Sequence, residues 1–323
     1  MAFAQCKISL ASDVESTTTA SRSLCTTAVS PTSGSCREAA SALDSPAGGF
    51  SMRWRCGARF ADGSHGCIYR AFNLQTGQIF ATKVHAMKES DSADPLNRKK
   101  VADRLAELEE LRHPNIVEHL GHDIADVNLY IYLEYVGGSL QAMLQEFGPF
   151  RGQMLGRVAR GVLEGLAYLH TREPPVVHGS VASCNILVSE EGQPKLQCFQ
   201  FSRHVAPRAH CATLETLSWM APEVFQKQGS DRTEADIWSA GWVIVEMATG
   251  EAPWAGASLD QIRFALGGGL LAGPPLPTHL PTAARACAAA CLQPAADSRP
   301  TARALLEAEF VACAKQLGPF GLC

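Results

Sequence analysis

Residues 67–85 read C-I-Y-R-A-F-N-L-Q-T-G-Q-I-F-A-T-K-V-H. Two strand-like runs, 67–72 and 79–85, flank the segment N-L-Q-T-G (73–77). Asn and Gly there suit a tight turn, so the stretch predicts a β-hairpin. Another strand-like run, 54–60, precedes it, and L-Y-I-Y-L-E-Y-V (129–136) is a further β-rich segment. Between them, 96–111 carries helical spacing, with Leu105, Leu108 and Leu111 three apart. After Gly137-Gly138 the pattern turns helical. Leu155, Val158, Val162, Leu166 and Leu169 mark one face of a long amphipathic helix. Residues 234–249, 258–266, 282–292 and 301–313 also read as helices. Strands first and helices afterwards predicts an α+β protein: a small antiparallel β-rich lobe, then a larger, mostly helical one.

The segment before this pattern is different. Residues 1–49 are rich in Ser, Thr and Ala and poor in large apolar side chains. Such a segment buries too little surface to offset its ordering entropy, and a disordered tail is expected. An organelle transit peptide is the rival reading, and Asp13, Glu15, Glu38 and Asp44 count against it. Phosphorylation of the tail by a partner kinase and a plain flexible tail both remain open.

Hydrophobic residues make up 46% of the chain and charged ones 19%, which places it among globular proteins. A formal net charge of -4 leaves no basic footprint, which argues against nucleic-acid binding by bulk electrostatics. No apolar run is long enough to span a bilayer, and the first residues lack a charged start followed by an apolar stretch. A cytoplasmic protein without membrane or nucleic-acid partners is expected. The twelve cysteines are scattered. Cys287 and Cys291 lie four apart without His or Cys partners at zinc-site spacing, so buried, reduced thiols are expected. Redox activity at Cys184 or Cys198 would require exposure near a cleft.

Candidate chemistry begins at A-D-G-S-H-G-C-I-Y (61–69), where Gly63 and Gly66 allow backbone N–H groups to approach phosphates. A lone G-x-x-G is usually just a turn. It gains force from A-T-K (81–83) downstream, whose Lys83 read alone is a solvated surface lysine. Further along stand H-P-N-I-V (113–117), L-E-Y-V-G-G-S-L (133–140), G-L-A-Y-L-H (165–170) and V-V-H-G-S-V-A-S-C-N-I-L-V (176–188). K-L-Q-C-F-Q-F-S-R (195–203), S-W-M-A-P-E-V (218–224), A-D-I-W-S-A-G-W (235–242), T-G-E-A-P-W (249–254) and D-S-R-P-T-A (297–302) follow.

In this order the motifs resemble a eukaryotic protein kinase over roughly residues 52–312, in the style of the MAP kinase kinase kinase group. The resemblance implies a two-lobed fold over 50–313, with an N-lobe of about 50–136, a C-lobe of about 137–313 and a short tail at 314–323. It implies that Glu134 to Val136 form the hinge that binds adenine, with Leu133 as gatekeeper. Ile68, Ala81 and Leu187 would sandwich the adenine ring, and Lys83 would hold the α- and β-phosphates. Glu223 would pair with Arg299, Asp236 would hold the catalytic-loop backbone, and His178 and Phe199 would pack in a spine between the lobes.

The chemical positions depart from the family pattern. Ala61 stands at the first glycine of the glycine-rich loop, and Arg104 at the helix glutamate expected to face Lys83. Like charge would repel there, and Asp103 or Glu107 is the candidate substitute after a small helix rotation. Gly179 replaces the arginine that grips a phosphorylated activation loop, and Ala182 the lysine that steadies the transferred phosphate. Ser180 replaces the catalytic base, Cys198 the main magnesium ligand, and Gln200 the glycine after it. Asn185 alone remains of the metal pair, so no catalytic residue set is intact.

Magnitudes weigh these losses. A general base contributes roughly 10²–10⁴ in rate, and active kinases turn over at about 1–100 s⁻¹. A thiol is a poor ligand for magnesium, which favours hard oxygens. The leading expectation is therefore a pseudokinase that binds ATP weakly with little need for magnesium. It would regulate or scaffold other protein kinases or components of a cascade. Two alternatives stay open: a low-activity ATP-dependent serine/threonine kinase with rearranged catalytic groups, and a folded remnant without a signalling role. Lys83, Asn185 and Thr216 keep the first of these in view.

Overall fold

A computed structural model describes residues 53–63, 66–87, 94–125, 127–197, 217–227, 232–269 and 274–316. The first half is a five-stranded antiparallel sheet of β1 (Trp54–Gly63), β2 (Gly66–Asn73), β3 (Ile79–Ala86), β4 (His119–Ala125) and β5 (Asn128–Glu134). Its spatial order is β1-β2-β3-β5-β4. The β2–β3 hairpin closes as the sequence predicts. Asn73 Oδ1 accepts from the N–H of Gln75 (2.8 Å) and of Thr76 (3.1 Å), and Gly77 takes φ +76°.

Between β3 and β4 the chain forms helix α1 (Pro95–Glu109). Asp94 caps it by accepting from the N–H of Leu96, and Pro95 occupies the first turn, where its missing N–H costs nothing. The sheet has two distinct faces. Ile68, Lys83 and Ile131 stand in one cross-strand row, and Ala81 and Leu133 in the next. Residues two apart share a face, so all five side chains look the same way. The opposite face carries Trp54, Phe80, Tyr130 and Tyr132. Trp54 and Phe80 each meet Tyr132 edge-on at 5.7 Å. Trp54 Nε1 donates to Tyr132 Oη (3.2 Å), which donates to Asp123 Oδ2 (2.8 Å), so the polar tips of this cluster are satisfied.

The second half is mostly helical: α2 (Leu140–Phe147), α3 (Gly152–His170), the hairpin β6 (Ile186–Val188) and β7 (Pro194–Leu196), α4 (Pro222–Phe225) and α5 (Thr233–Thr249). Then come α6 (Leu259–Phe264), α7 (Thr282–Cys291), α8 (Ala302–Leu305) and α9 (Glu309–Ala312). Helix α3 buries the predicted face of Leu155, Val158, Val162, Leu166 and Leu169. Gly161 and Gly165 lie on that face because β7 and Asn115 press against the helix backbone. Helix α5 is buried on nearly every side, as befits the central rod of this half. Its C-terminus stops at Gly250, φ +75°.

Two predicted helices come out differently. Residues 301–313 break into α8 and α9 with Ala308 extended between them. Leu305 and Val311 are both buried and six positions apart, which one straight helix would place on different sides; with the break, α8 and α9 both pack on α3. Residues 258–266 form α6 and then widen into a π-helical turn at Ala265–Gly269, where Gly268 takes φ +119°. Cys287 and Cys291 are buried, free thiols, Cys291 packed where Gly241 of α5 leaves room, while Cys184 is exposed. Among the described residues no helix is long and apolar enough to cross a membrane.

Candidate functional site

The site is built on the loop 178–185, and that loop hangs from α5. Asp236, in the first turn of α5, is 1% exposed. Its Oδ2 accepts from the N–H of His178 (2.8 Å) and its Oδ1 from the N–H of Gly179 (2.7 Å). His170 Nε2 lies 2.9 Å from the same carboxylate. Hydrogen bonds to an ionised carboxylate are among the stronger ones, and the positive end of the α5 dipole favours the charge. His178 is fully buried, and burial holds its pKa below the usual value, so the ring is neutral. Its Nδ1 accepts from the N–H of Ser180 (3.3 Å), which leaves Nε2 as the donor to Gln197 O (3.0 Å). Gly179 has φ +67°, a conformation that a side chain there would strain.

Past this clamp the loop turns outward. Ser180 is exposed, and Asn185 Nδ2 donates to Ser180 O (2.8 Å) and to Ser180 Oγ (2.9 Å). The Asn185 amide nitrogen is thereby committed to Ser180. Ala182 is buried. Ser183 donates from Oγ to Glu246 Oε1 of α5 (2.8 Å), and burial pushes the Glu246 carboxyl up to about 7. Among the described residues, Glu246 Oε2 has no hydrogen-bond partner.

One face of the sheet carries Ile68, Ala81, Lys83 and Leu133. Lys83 is buried. Gly63 and Gly66 are register partners where β1 passes into β2. After β5, Val136 is buried, the N–H of Val188 donates to Gly138 O (3.0 Å), and Ser139 bridges to Leu187. Leu133, Val136 and Leu187 are so brought to one region of the chain. Glu134 points its carboxylate to β7: Oε1 accepts from the N–H of Glu118 (2.8 Å) and from Lys195 Nζ (2.8 Å).

Helix α1 does not place a substitute carboxylate where the sequence suggested. Glu107 is exposed and paired with Arg104 along the helix, and Asp103 is exposed. The charge at position 104 is therefore met within α1. Glu223 and Arg299 come together in a buried pair, Nη1 to Oε1 at 2.7 Å and Nη2 to Oε2 at 2.8 Å. Arg299 also donates from Nε to Gln293 O and from Nη1 to Glu234 O, and its guanidinium lies over the Trp238 ring at 5.0 Å. Cys198, Phe199, Gln200 and Thr216 lie outside the described residues.

Sequence reasoning missed several contacts in this region. The Ser183–Glu246 pair, the Lys195–Glu134 pair and the Glu109–His122 pair join residues far apart in the chain, and none carries a local pattern. A buried acid in the apolar run of α5 was the one signal available for Glu246.

The comparisons with known proteins agree with this architecture. Residues 56–311 match the family described as protein kinase domain. The chain is 34% identical over 261 residues to mitogen-activated protein kinase kinase kinase YODA of Arabidopsis thaliana, covering 80% of this chain and 29% of that protein. It is 35% identical over 265 residues to mitogen-activated protein kinase kinase kinase 3 of the same plant, covering 81% of this chain and 43% of the relative. Against mitogen-activated protein kinase kinase kinase A of Dictyostelium discoideum it is 32% identical over 267 residues, covering 80% and 28%. The chain thus spans less than half the length of these relatives. With the ordered motifs, the five-stranded sheet and the helical half in one continuous match, the chain belongs to the protein kinase family, and its domain is similar to those of MAP kinase kinase kinases.

Proposed function

We propose that this chain is a catalytically impaired protein kinase domain, a pseudokinase, that serves a MAP kinase-type cascade by binding other kinases or cascade components. One observation carries the reading. The loop that should present a carboxylate base presents Ser180, whose hydroxyl is engaged by Asn185. A serine hydroxyl is neutral at pH 7 and has no carboxylate's strength as a base. Cys198 and Ala182 remove two more groups that phosphoryl transfer needs.

The apolar wall of Ile68, Ala81, Leu133, Val136 and Leu187 suits an adenine ring, with backbone groups from Glu134 to Val136 as its polar contacts. Buried Lys83 suits the phosphates, with Gly63 and Gly66 allowing close approach of the backbone. The magnesium donor set fits poorly. Cys198 offers a soft thiol where magnesium favours a hard oxygen, which leaves the Oδ1 of Asn185 as the one oxygen of the metal pair. Weak ATP binding that depends little on magnesium follows.

The Asp236 clamp on His178 and Gly179 favours a second reading, a low-activity serine/threonine kinase, because it holds the loop in order. A thermal-shift titration with ATP, in magnesium and in EDTA, separates the two. Ligand at 100 times its dissociation constant stabilises by about 2.7 kcal/mol, a shift of several degrees. An equal shift in both buffers is expected. A shift that requires magnesium, together with phosphate incorporation that Lys83→Met abolishes, would establish the second reading instead.

A further inference from the structure

Helix α1 is thinly anchored by apolar contact. Of its fifteen residues only Val101, Leu105 and Leu108 are buried. At about 1.5–3 kcal/mol for each buried side chain, that contact is small against the ~1–2 kcal/mol needed to order each residue of backbone. Polar ties at the two ends of the helix add to it, and both reach β4. Arg98 Nη2 donates to Ile124 O (2.9 Å) near the N-terminus. At the C-terminus Glu109 Oε1 meets His122 Nδ1 at 2.6 Å, with side chains 31% and 19% exposed. A short, half-buried, charge-assisted contact of this kind outweighs an exposed ion pair.

The register shows where this tie falls. His122 pairs with Ile131, and Ile131 pairs with Lys83, so His122 stands in the same cross-strand row as Lys83, two strands away. The acidic side chain that α1 sends to the sheet therefore arrives at β4. The other acids of the helix's second half, Asp103 and Glu107, are exposed, and Arg104 is turned to Glu107.

We infer that the Glu109–His122 pair is the latch that positions helix α1 on the sheet, in place of a helix carboxylate on Lys83, so that the helix is held independently of that lysine and of nucleotide. In a protein kinase a lysine–glutamate pair couples the helix to the bound nucleotide. Moving the tie to β4 uncouples them and gives a partner protein a helix surface of fixed position. The inference rests on the proposed role of Lys83 only in naming what the latch replaces.

Hydrogen exchange read by mass spectrometry on the full chain without nucleotide tests it. Glu109→Gln and His122→Gln should each speed exchange of the α1 amides about tenfold, the ratio that ~1.4 kcal/mol corresponds to. Exchange in α5 should stay as in the wild type, which separates a lost latch from general destabilisation. The exchanged pair Glu109→His with His122→Glu should restore protection. Lys83→Met should leave α1 exchange as it is. The latch is overturned if Glu109→Gln leaves α1 unchanged, if the exchanged pair fails to rescue, or if Lys83→Met exposes α1 as much as Glu109→Gln does. Since no nucleotide or partner enters the measurement, its failure is distinct from failure of the ATP titration.

Discussion

Glu246 shows how one side chain ties stability to pH. It accepts from Ser183 in the candidate loop, and its other oxygen is buried without a partner among the described residues. Burial raises its pKa from 4.5 to about 7. A raised acid contributes stability that is complete below its unfolded pKa and is lost as pH rises through the folded value. That window runs from about pH 4.5 to 7. His119 acts in the opposite sense. Burial, with Lys83, Arg112 and His122 adding repulsion, lowers it from 6.5 to about 4, so its contribution is lost as pH falls through that range. The two slopes give a stability maximum in mildly acidic solution. Glu246→Gln keeps an acceptor for Ser183 and removes the titration. The variant should match the wild type near pH 5 and exceed it by roughly 2–3 kcal/mol at pH 8, read as the denaturation midpoint across pH. Parallel pH profiles for the two proteins would mean that Glu246 ionises normally.

Among the elements, α3 and β7 fit together through missing side chains. A Cβ at Gly161 would lie 2.5 Å from Pro194 Cγ and 2.7 Å from Asn115 Nδ2, and one at Gly165 would meet Leu196 Cδ1 at 2.9 Å. The contact is fastened by backbone bonds: the N–H of Val117 donates to Leu196 O (2.9 Å), and the N–H of Leu196 to Asn115 O (2.8 Å). Asn115 Nδ2 adds a bond to Pro194 O (2.8 Å). The loop before β4 is thus held on the hairpin that carries the end of the candidate site. Gly161→Val forces β7 and Asn115 off the helix, and a loss of about 1–3 kcal/mol is expected in urea denaturation, the range for overpacked cores. Gly138→Ala, where no atom lies within 4 Å of the added carbon, is the control and should change stability little. Equal midpoints for the two variants would show that the helix can shift at no cost. The periodicity of α3 was readable in the sequence. The two glycines on its buried face were not, because their reason is a strand that arrives thirty residues later.

For the whole molecule, the Asp236 clamp, the Glu223–Arg299 pair and the buried Lys83 are present, while Ser180 and Cys198 stand where the resemblance to the family implies carboxylates. If the frame is otherwise sound, Ser180→Asp, Cys198→Asp and Gln200→Gly together should restore phosphate transfer to a general protein substrate and make ATP stabilisation depend on magnesium. The expected gain over the wild type is at least about 10², the lower bound for a general base alone. A triple variant that stays inactive, while binding ATP, would place further blocks at Arg104 and Ala182.

The sequence by itself determined the fold class, the order of strands and helices, and the family. It did so because hydrophobic period, turn residues and short motifs are local, and each is written in neighbouring residues. The break between α8 and α9 was decided only by tertiary structure, since it lets both helices pack on α3 with Leu305 and Val311 buried. The same holds for the pairing of Ser180 with Asn185 and of Ser183 with Glu246, and for the choice of His122 by Glu109. Such pairs depend on which side chains the packed chain leaves within reach, and no spacing along the sequence records that distance.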